Sequence, residues 1–321
     1  MHAATGPVTE PHTGAPRATA TVGVVIPTFN RPDLLLLAVQ SVLAQHPPPD
    51  QVIIVDDGGH QPAHETVQAL AHSGAMRLLQ EDHGGPSRAR NRGAREIETD
   101  FVLFLDDDDC LLPGALRGLA DALIAAPAAV AAAGGGRRFF VRNNHLGDAE
   151  WPPIATGGFD AVIAGNPFFT GAVLVRRSAF DAVGGFEETT PLIEDWDLWL
   201  KLARRGPILL PRVMALEYRV HPANMSRSST VARLSMGLAD HYLASFTPVE
   251  RANYAPQLAN YLARTFGAEV AWHVRVAFRQ GRVADAFRDM WLLARIVWFA
   301  VGFAEGRQAI GLAWAELRKG R

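Results

Sequence analysis

Three acidic groups in this 321-residue chain have the composition and placement to do chemistry: Asp56-Asp57, the run Asp106–Asp109, and Glu194-Asp195. The first two close apolar runs, QVIIVDD and FVLFLDDDD; the third opens the amphipathic stretch EDWDLWLKLARRG. Four carboxylates at the end of a buried run repel one another, and burial raises the cost of each charge. A divalent cation is the usual remedy. Hard oxygen ligands select Mg2+ or Mn2+, ions that commonly bridge protein carboxylates to a substrate phosphate. The competing reading is a solvated acidic turn in which Asp109 favours the start of the next helix. Glu194-Asp195 carries a similar ambiguity, because acids in the first turn of a helix are stabilised by its dipole.

These groups need a frame that brings them together. Val22–Pro27 and Gln51–Gly59 read as buried strands, Arg77–Gln80 as a weaker one, and the run from Phe101 as a fourth. Between them, LLLLAVQSVLAQ gives a helix with Leu34, Leu37, Ala38 and Val42 on one face, Asn30 as its cap and Pro32 in its first turn. Further helices are predicted over Ala63–Ala71, from Ser87, and over Gly114–Ala125. This alternation predicts an α/β fold with a mostly parallel sheet flanked by helices. Ligands in such sheets bind beyond the carboxyl ends of the strands, so the acids should converge on one rim. Downstream, Gly134–Asn166 reads as a loose, glycine-rich middle, Phe168–Arg177 as a strand, and Glu194–Gly206 as a helix with Leu198, Trp199 and Leu202 at helical spacing. ALEYRVHPANMS follows as strand plus loop. After Ser226 the pattern is helical, and no internal repeat is found.

The bulk numbers exclude some classes of function. Hydrophobic residues make up 48% and charged residues 20%, which suits a globular core. A net charge of −2 gives no footprint for nucleic acid. The single cysteine, Cys110, rules out an intrachain disulfide and a cysteine zinc site, and fits the cytoplasm. Residues 1–20 are rich in Ala, Thr, Pro and Gly without an apolar signal-peptide core, and are expected to be a disordered leader. The stretch Met290–Ala304, MWLLARIVWFAVGFA, falls short of the ~20 apolar residues a spanning helix needs. It reads as a buried helix or as a peripheral membrane contact through Trp291, Trp298 and Phe299.

Six blocks taken in order, VVIPTFNRPDLLLLAVQSVLAQ, IIVDDGG, GGPSRARNRGA, FVLFLDDDD, GGFEE with EDWDLWLKLARRG, and YRVHPANMS, resemble glycosyltransferase family 2. The resemblance covers about Val22 to Ser226. It implies a GT-A, Rossmann-like domain over residues 21–226, with a helical C-terminal region at 227–321 outside it. The implied reaction is inverting transfer of a sugar from a nucleotide diphosphate sugar to an acceptor hydroxyl, in bacterial polysaccharide, glycolipid or glycoconjugate biosynthesis. The acceptor would be a saccharide, a lipid-linked sugar or a small molecule, and the site would be cytoplasmic or at the inner face of the membrane.

The family pattern then implies residue roles. Asp57 matches the acid that accepts the base imide N–H, a group that uracil and thymine share. Pro27, Phe29 and Asn30 match the loop around the nucleoside. Arg90 and Asn91 match the block under the nucleotide, although Arg90 could instead pair with a strand-end acid. Within the aspartates, Asp108 matches a metal ligand and Asp106 faces the ribose or a water on the ion, while Asp107 is expected to point elsewhere. His221 matches a histidine that approaches the metal or diphosphate. Asp195 matches the catalytic base, which inversion requires behind the anomeric carbon. Glu194 and Trp196 are assigned to the acceptor, with Trp196 or Trp199 stacking on a sugar ring and the other in the core.

Two other classes compete. A non-catalytic GT-A module could bind nucleotide sugar without turnover. A haloacid-dehalogenase-like phosphatase also opens with an apolar strand and D-x-D, but needs a later lysine, and the only lysines are Lys201 and Lys319.

Overall fold

The computed structural model describes residues 20–60, 63, 76–189, 192–221, 229–303 and 310. Most of the expected leader, all but Ala63 of the helix expected at Ala63–Ala71, and the loop after His221 lie outside the described residues. The first half alternates as expected: β1 (Val22–Thr28), α1 (Pro32–Leu43), β2 (Gln51–Asp56), β3 (Met76–Gln80), α2 (Pro86–Glu96) and β4 (Phe101–Phe104). Every residue of β1 and β4 is buried, the mark of strands covered on both faces.

Then come β5 (Cys110–Leu111), α3 (Ala115–Ala125), β6 (Ala131–Ala133), β7 (Gly135–Phe140), β8 (His145–Glu150) and the short α4 (Phe159–Val162). β9 (Val173–Arg176), α5 (Arg177–Ala182), α6 (Glu194–Ala203), β10 (Ile208–Leu209) and β11 (Met214–Val220) complete the domain, and α7 (Ser229–Ser245), α8 (Pro248–Arg279) and α9 (Val283–Val301) follow.

Among the described residues the large sheet has seven strands in the order β10-β6-β9-β4-β1-β2-β3. Within it β9 alone runs antiparallel, between β4 and β6. The carboxyl ends of β1, β2 and β4 therefore share one rim, with Thr28 in register with Asp56 and Val25 with Phe104. A second sheet, β5-β11-β7-β8, stands beside that rim. The aspartate run is the crossing from one sheet to the other, between β4 and β5.

Three expectations need correcting. The middle segment is not loose: Gly135–Glu150 forms the β7–β8 hairpin of the second sheet, whose exposed residues hide the alternation that marks a strand. Asn30 does not cap α1; its backbone has φ of +57°, Arg31 occupies the cap position, and no side chain caps the helix. The buried face of α1 is Leu35, Ala38, Val39 and Val42, whereas Leu37 is exposed and Leu34 half-buried. A run of four leucines fits two helical faces equally well, and the sheet selects one.

The helices after β11 are not a separate body. One core cluster contains Val25 and Phe104 of the sheet, Trp196 and Trp199 of α6, and Val231, Leu258, Leu262 and Leu292 of the last three helices.

Candidate active site

A cleft of about 510 Å3 opens on the rim where the sheet strands end. Its walls come from the end of β1 (Pro27, Thr28, Phe29, Arg31), the end of β2 (Asp57), the start of α2 (Pro86, Ala89, Arg90) and the β4–β5 turn (Asp106, Asp107, Asp108). Glu194 and Tyr218 close it from α6 and β11. Of the residues singled out in the sequence, Asn30, Asn91, Asp109, Asp195, Trp196, Trp199 and His221 stand outside this lining.

Asp57 is buried, and its two oxygens accept backbone N–H groups of Gly84 and Gly85 at 2.8 and 2.9 Å. His83 Nδ1 lies 2.8 Å from the Asp57 Oδ2. These donors fix the carboxylate, and lone pairs remain for a further N–H. Phe29 is 40% exposed, with its ring 4.5 Å from that of His83, so it is a wall of the cleft and not core. Gly59 is required by close approach: a Cβ there would sit 2.8 Å from Asn30 Oδ1, so the β1 and β2 end loops lie against each other at this point.

The four aspartates divide by partner. Asp106 accepts from Arg90 Nη2 at 2.5 Å. Asp107 is buried and accepts from Thr28 Oγ1 at 2.7 Å and from Arg31 at 3.2 Å. Burial first, and Asp108 against the pull of Thr28 and Arg31, push its pKa up to about 6. Asp108 Oδ2 lies 2.8 Å from Arg31 Nη1 and 2.9 Å from His221 Nε2. Asp109 is buried and accepts the backbone N–H of Arg219 at 2.9 Å; burial, then Asp106 and Asp108, raise its pKa well above the usual carboxylate range.

Both shifts come first from burial, with like charge inside the run adding to it. Carboxylate oxygens of Asp106, Asp108 and Asp109 all lie within 4.8 Å of one another. An all-oxygen set this close fits a hard divalent cation such as Mg2+ or Mn2+. Asp107 stands outside that group. His221 arrives from the end of β11, whose pairing with β5 carries it to Asp108.

Arg90 links this turn to α6. It is buried, with Nη2 on Asp106 and Nη1 on Glu194 at 2.8 Å. Burial opposes its charge, but Asp106 and Glu194 more than offset that and raise its pKa. Its position in α2 is possible because Ala89, Gly93 and Ala94 let the helix lie close on the sheet. Asn91 faces elsewhere than the block resemblance implies: its amide donates to the Phe186 carbonyl and accepts the Phe186 N–H, pinning the GGFEE loop rather than lying under a nucleotide.

At the start of α6, Glu194 Oε2 is buried without a hydrogen-bond partner among the described residues. Asp195 Oδ2 accepts from Asn166 Nδ2 at 2.8 Å and from Thr170 at 3.4 Å, and its Oδ1 takes its neighbour's backbone N–H at 2.7 Å. Burial, then Glu194, push the Asp195 pKa up to about 6. Trp196 is corrected: it is 1% exposed and its indole N–H donates to the Val162 carbonyl, while Trp199 is 0% exposed, so neither ring is open to a sugar. Both are core.

Sequence reasoning missed Arg31, Thr28, His83 and Asn166. Arg31 lies within the TFNRPD block and was legible there as a cation near the aspartates; His83 and Asn166 sit in loops without periodicity. Lys201 pairs with Asp197 at 2.6 Å, so it is not the lysine a dehalogenase-like site requires.

A sequence profile described as Glycosyl transferase family 2 matches residues 23–184, just over half of the chain. An uncharacterized glycosyltransferase of Rickettsia conorii is 24% identical over 218 residues, 64% of this chain and 35% of that protein. A GalNAc(5)-diNAcBac-PP-undecaprenol beta-1,3-glucosyltransferase of Campylobacter jejuni is 37% identical over 101 residues, 30% of this chain and 33% of that protein. The chain spans about a third of the length of the first curated relatives it matches. Among solved structures, S. aureus TarS 1–349 with UDP-GlcNAc superposes with a TM-score of 0.68 at 16% identity, over 94% of this chain and 92% of that one. A mannosyltransferase of Pyrobaculum calidifontis with GDP-Man and Mn2+ superposes at 0.56 and 19% identity, over 89% of each chain. At these identities the structures speak for the fold, which is GT-A. The profile adds the lineage: the chain belongs to glycosyltransferase family 2.

Proposed function

We propose that the chain transfers a sugar from a nucleoside diphosphate donor, of the UDP or dTDP type, to an acceptor hydroxyl with inversion. The observation that carries this reading is a single cleft whose walls combine Asp57, the open ring of Phe29, the Asp106–Asp108 turn and Glu194. Asp57 accepts the base imide N–H, since a charge-assisted bond outweighs a neutral one. Pro27 and Phe29 flank the nucleoside, and Asn30 belongs to their loop. Arg90 keeps Asp106 directed toward the ribose while holding Glu194.

Asp108, with Asp106 and Asp109 beside it and His221 against it, would hold Mg2+ or Mn2+. The ion, when bound, neutralises charge on the leaving diphosphate. Asp195 takes the acceptor's hydroxyl proton as the new C–O bond forms and the bond to the diphosphate oxygen breaks. Glu194, which lines the cleft and is held by Arg90, faces the acceptor. The Campylobacter relative's undecaprenol-linked substrate and the TarS complex support a lipid-linked or saccharide acceptor and a UDP-type donor. Such a donor suits the cytoplasmic side of a membrane.

Calorimetric titration of UDP, dTDP and GDP, with and without Mn2+, tests the donor site. One nucleotide should bind in a metal-dependent way. Asp57→Ala should weaken it at least about tenfold, as loss of a charged hydrogen bond does, and Asp108→Ala should abolish the metal dependence. Binding without turnover on any acceptor would favour the non-catalytic module; no binding with metal present would sink the donor assignment.

A further inference from the structure

Helix α9 has two apolar faces. One packs inward through Ala286, Leu292, Ile296 and Ala300. The other carries Val283, Phe287, Trp291, Trp298 and Val301, which are 51%, 57%, 63%, 82% and 49% exposed. At about 100° per residue these five fall within an arc of about 80°, in a stripe about 27 Å long. No helix among the described residues is long and apolar enough to cross a membrane, so the stripe is a surface and not a span.

The stripe continues onto α8. Phe278 meets Phe287 edge-on, ring centroids 6.1 Å apart, and Trp272 is 46% exposed. Arg264, Arg275 and Arg279 share the exposed side of α8, and among the described residues none of them is in a salt bridge. The arginines of α9 differ: Arg288 pairs with Asp285, and Arg295 with Asp240 while lying over the Trp291 ring at 4.9 Å.

We infer that the α8–α9 hairpin lies flat on an anionic lipid bilayer. Phe287, Trp291 and Trp298 enter the boundary between headgroups and acyl chains, and Arg264, Arg275 and Arg279 pair with lipid phosphates. Amphipathic aromatic rings beside unpaired cations are what such a boundary stabilises. A second copy is a poorer occupant. A two-fold interface sets the same patch against itself, bringing three unpaired arginines toward three others. The inference stands apart from the transferase reading, because membrane binding needs no turnover.

The test is sedimentation of the full chain with vesicles of phosphatidylglycerol and phosphatidylethanolamine, against phosphatidylcholine alone. The chain should pellet with the anionic vesicles, less so as salt rises. Trp291→Ser with Trp298→Ser, and separately Arg275→Glu with Arg279→Glu, should each lower partitioning at least about tenfold. Both pairs of positions are exposed, and an unchanged far-ultraviolet circular dichroism spectrum and thermal midpoint check that the fold is kept. No pelleting with anionic vesicles, or variants that pellet as fully as the unchanged chain, overturns the inference. So does a micromolar dimer that the tryptophan variant dissolves without any vesicle binding, which would give the stripe to a second copy.

Discussion

The Asp195 carboxylate sits half-buried at the first turn of α6, and burial, then the Glu194 charge, push its pKa up to about 6. A base must be ionised to take a proton, so kcat should fall about tenfold per pH unit below that value and level off above it. Asp195→Asn should cut turnover by about 10²–10⁴ and leave nucleotide affinity within about twofold. Stability supplies an independent check with a defined sign. Between the ordinary carboxylate pKa and about 6, the folded state holds the proton more tightly than the unfolded chain, so ionisation costs stability as pH rises through this window. Asp195→Asn should therefore raise Tm at pH 7.5, where the ionised acid carries that cost, and change it little near pH 3.5. A variant with normal turnover would remove Asp195 from the role of base.

At the scale of elements, the positions of Asp57, Asp106–Asp109 and Asp195 were legible because each acid adjoins a strong apolar pattern. That pattern reports where a strand ends or a helix begins. What the pattern could not report is pairing between distant segments. Nothing local in EYRVH says that β11 joins β5, yet this pairing brings His221 to Asp108 and Arg219 to Asp109. The β7–β8 hairpin was missed for a related reason: much of it is exposed, so it lacks the alternation of a half-buried strand. Trp196 and Trp199 show the limit of periodicity, which cannot tell a buried helix side from one open to a ligand. Helix α2, by contrast, is set by small residues. A Cβ on Gly93 would lie 2.4 Å from Val25 Cγ1 and 3.1 Å from Val55 Cγ2. Alanine favours a helix over glycine by about 1 kcal/mol, while overpacking costs about 1–3 kcal/mol. Gly93→Ala should thus be net destabilising in urea. It should also weaken nucleotide binding, because lifting α2 moves Arg90 off Asp106 and Glu194. A more stable variant would mean that the sheet yields there and that the close approach is not what positions Arg90.

For the molecule as a whole, the boundary suggested near residue 226 divides sequence patterns, but the core runs across it. Leu258 of α8 is 0% exposed and belongs to the same cluster as Phe104 of β4 and Trp196 of α6. Tyr261, nearly one turn further along, places its ring 4.9 Å from Trp196, the residue after the proposed base. Gly165 lies so close to that ring that a Cβ there would meet it at 2.6 Å, and Asn166, which holds Asp195, is the next residue. The helical region therefore supports the loop and helix start on which Asp195 depends. Leu258→Ala should cost about 2–5 kcal/mol, as deletion of a buried leucine does. If the two regions fold as one unit, urea unfolding followed by far-ultraviolet circular dichroism should remain a single transition. Loss of nucleotide binding should then shift with it by the same amount, although Leu258 does not line the donor cleft. Two separated transitions, with nucleotide binding surviving the first, would instead make the last three helices an independently stable appendage and leave the positioning of Asp195 to the sheet domain alone.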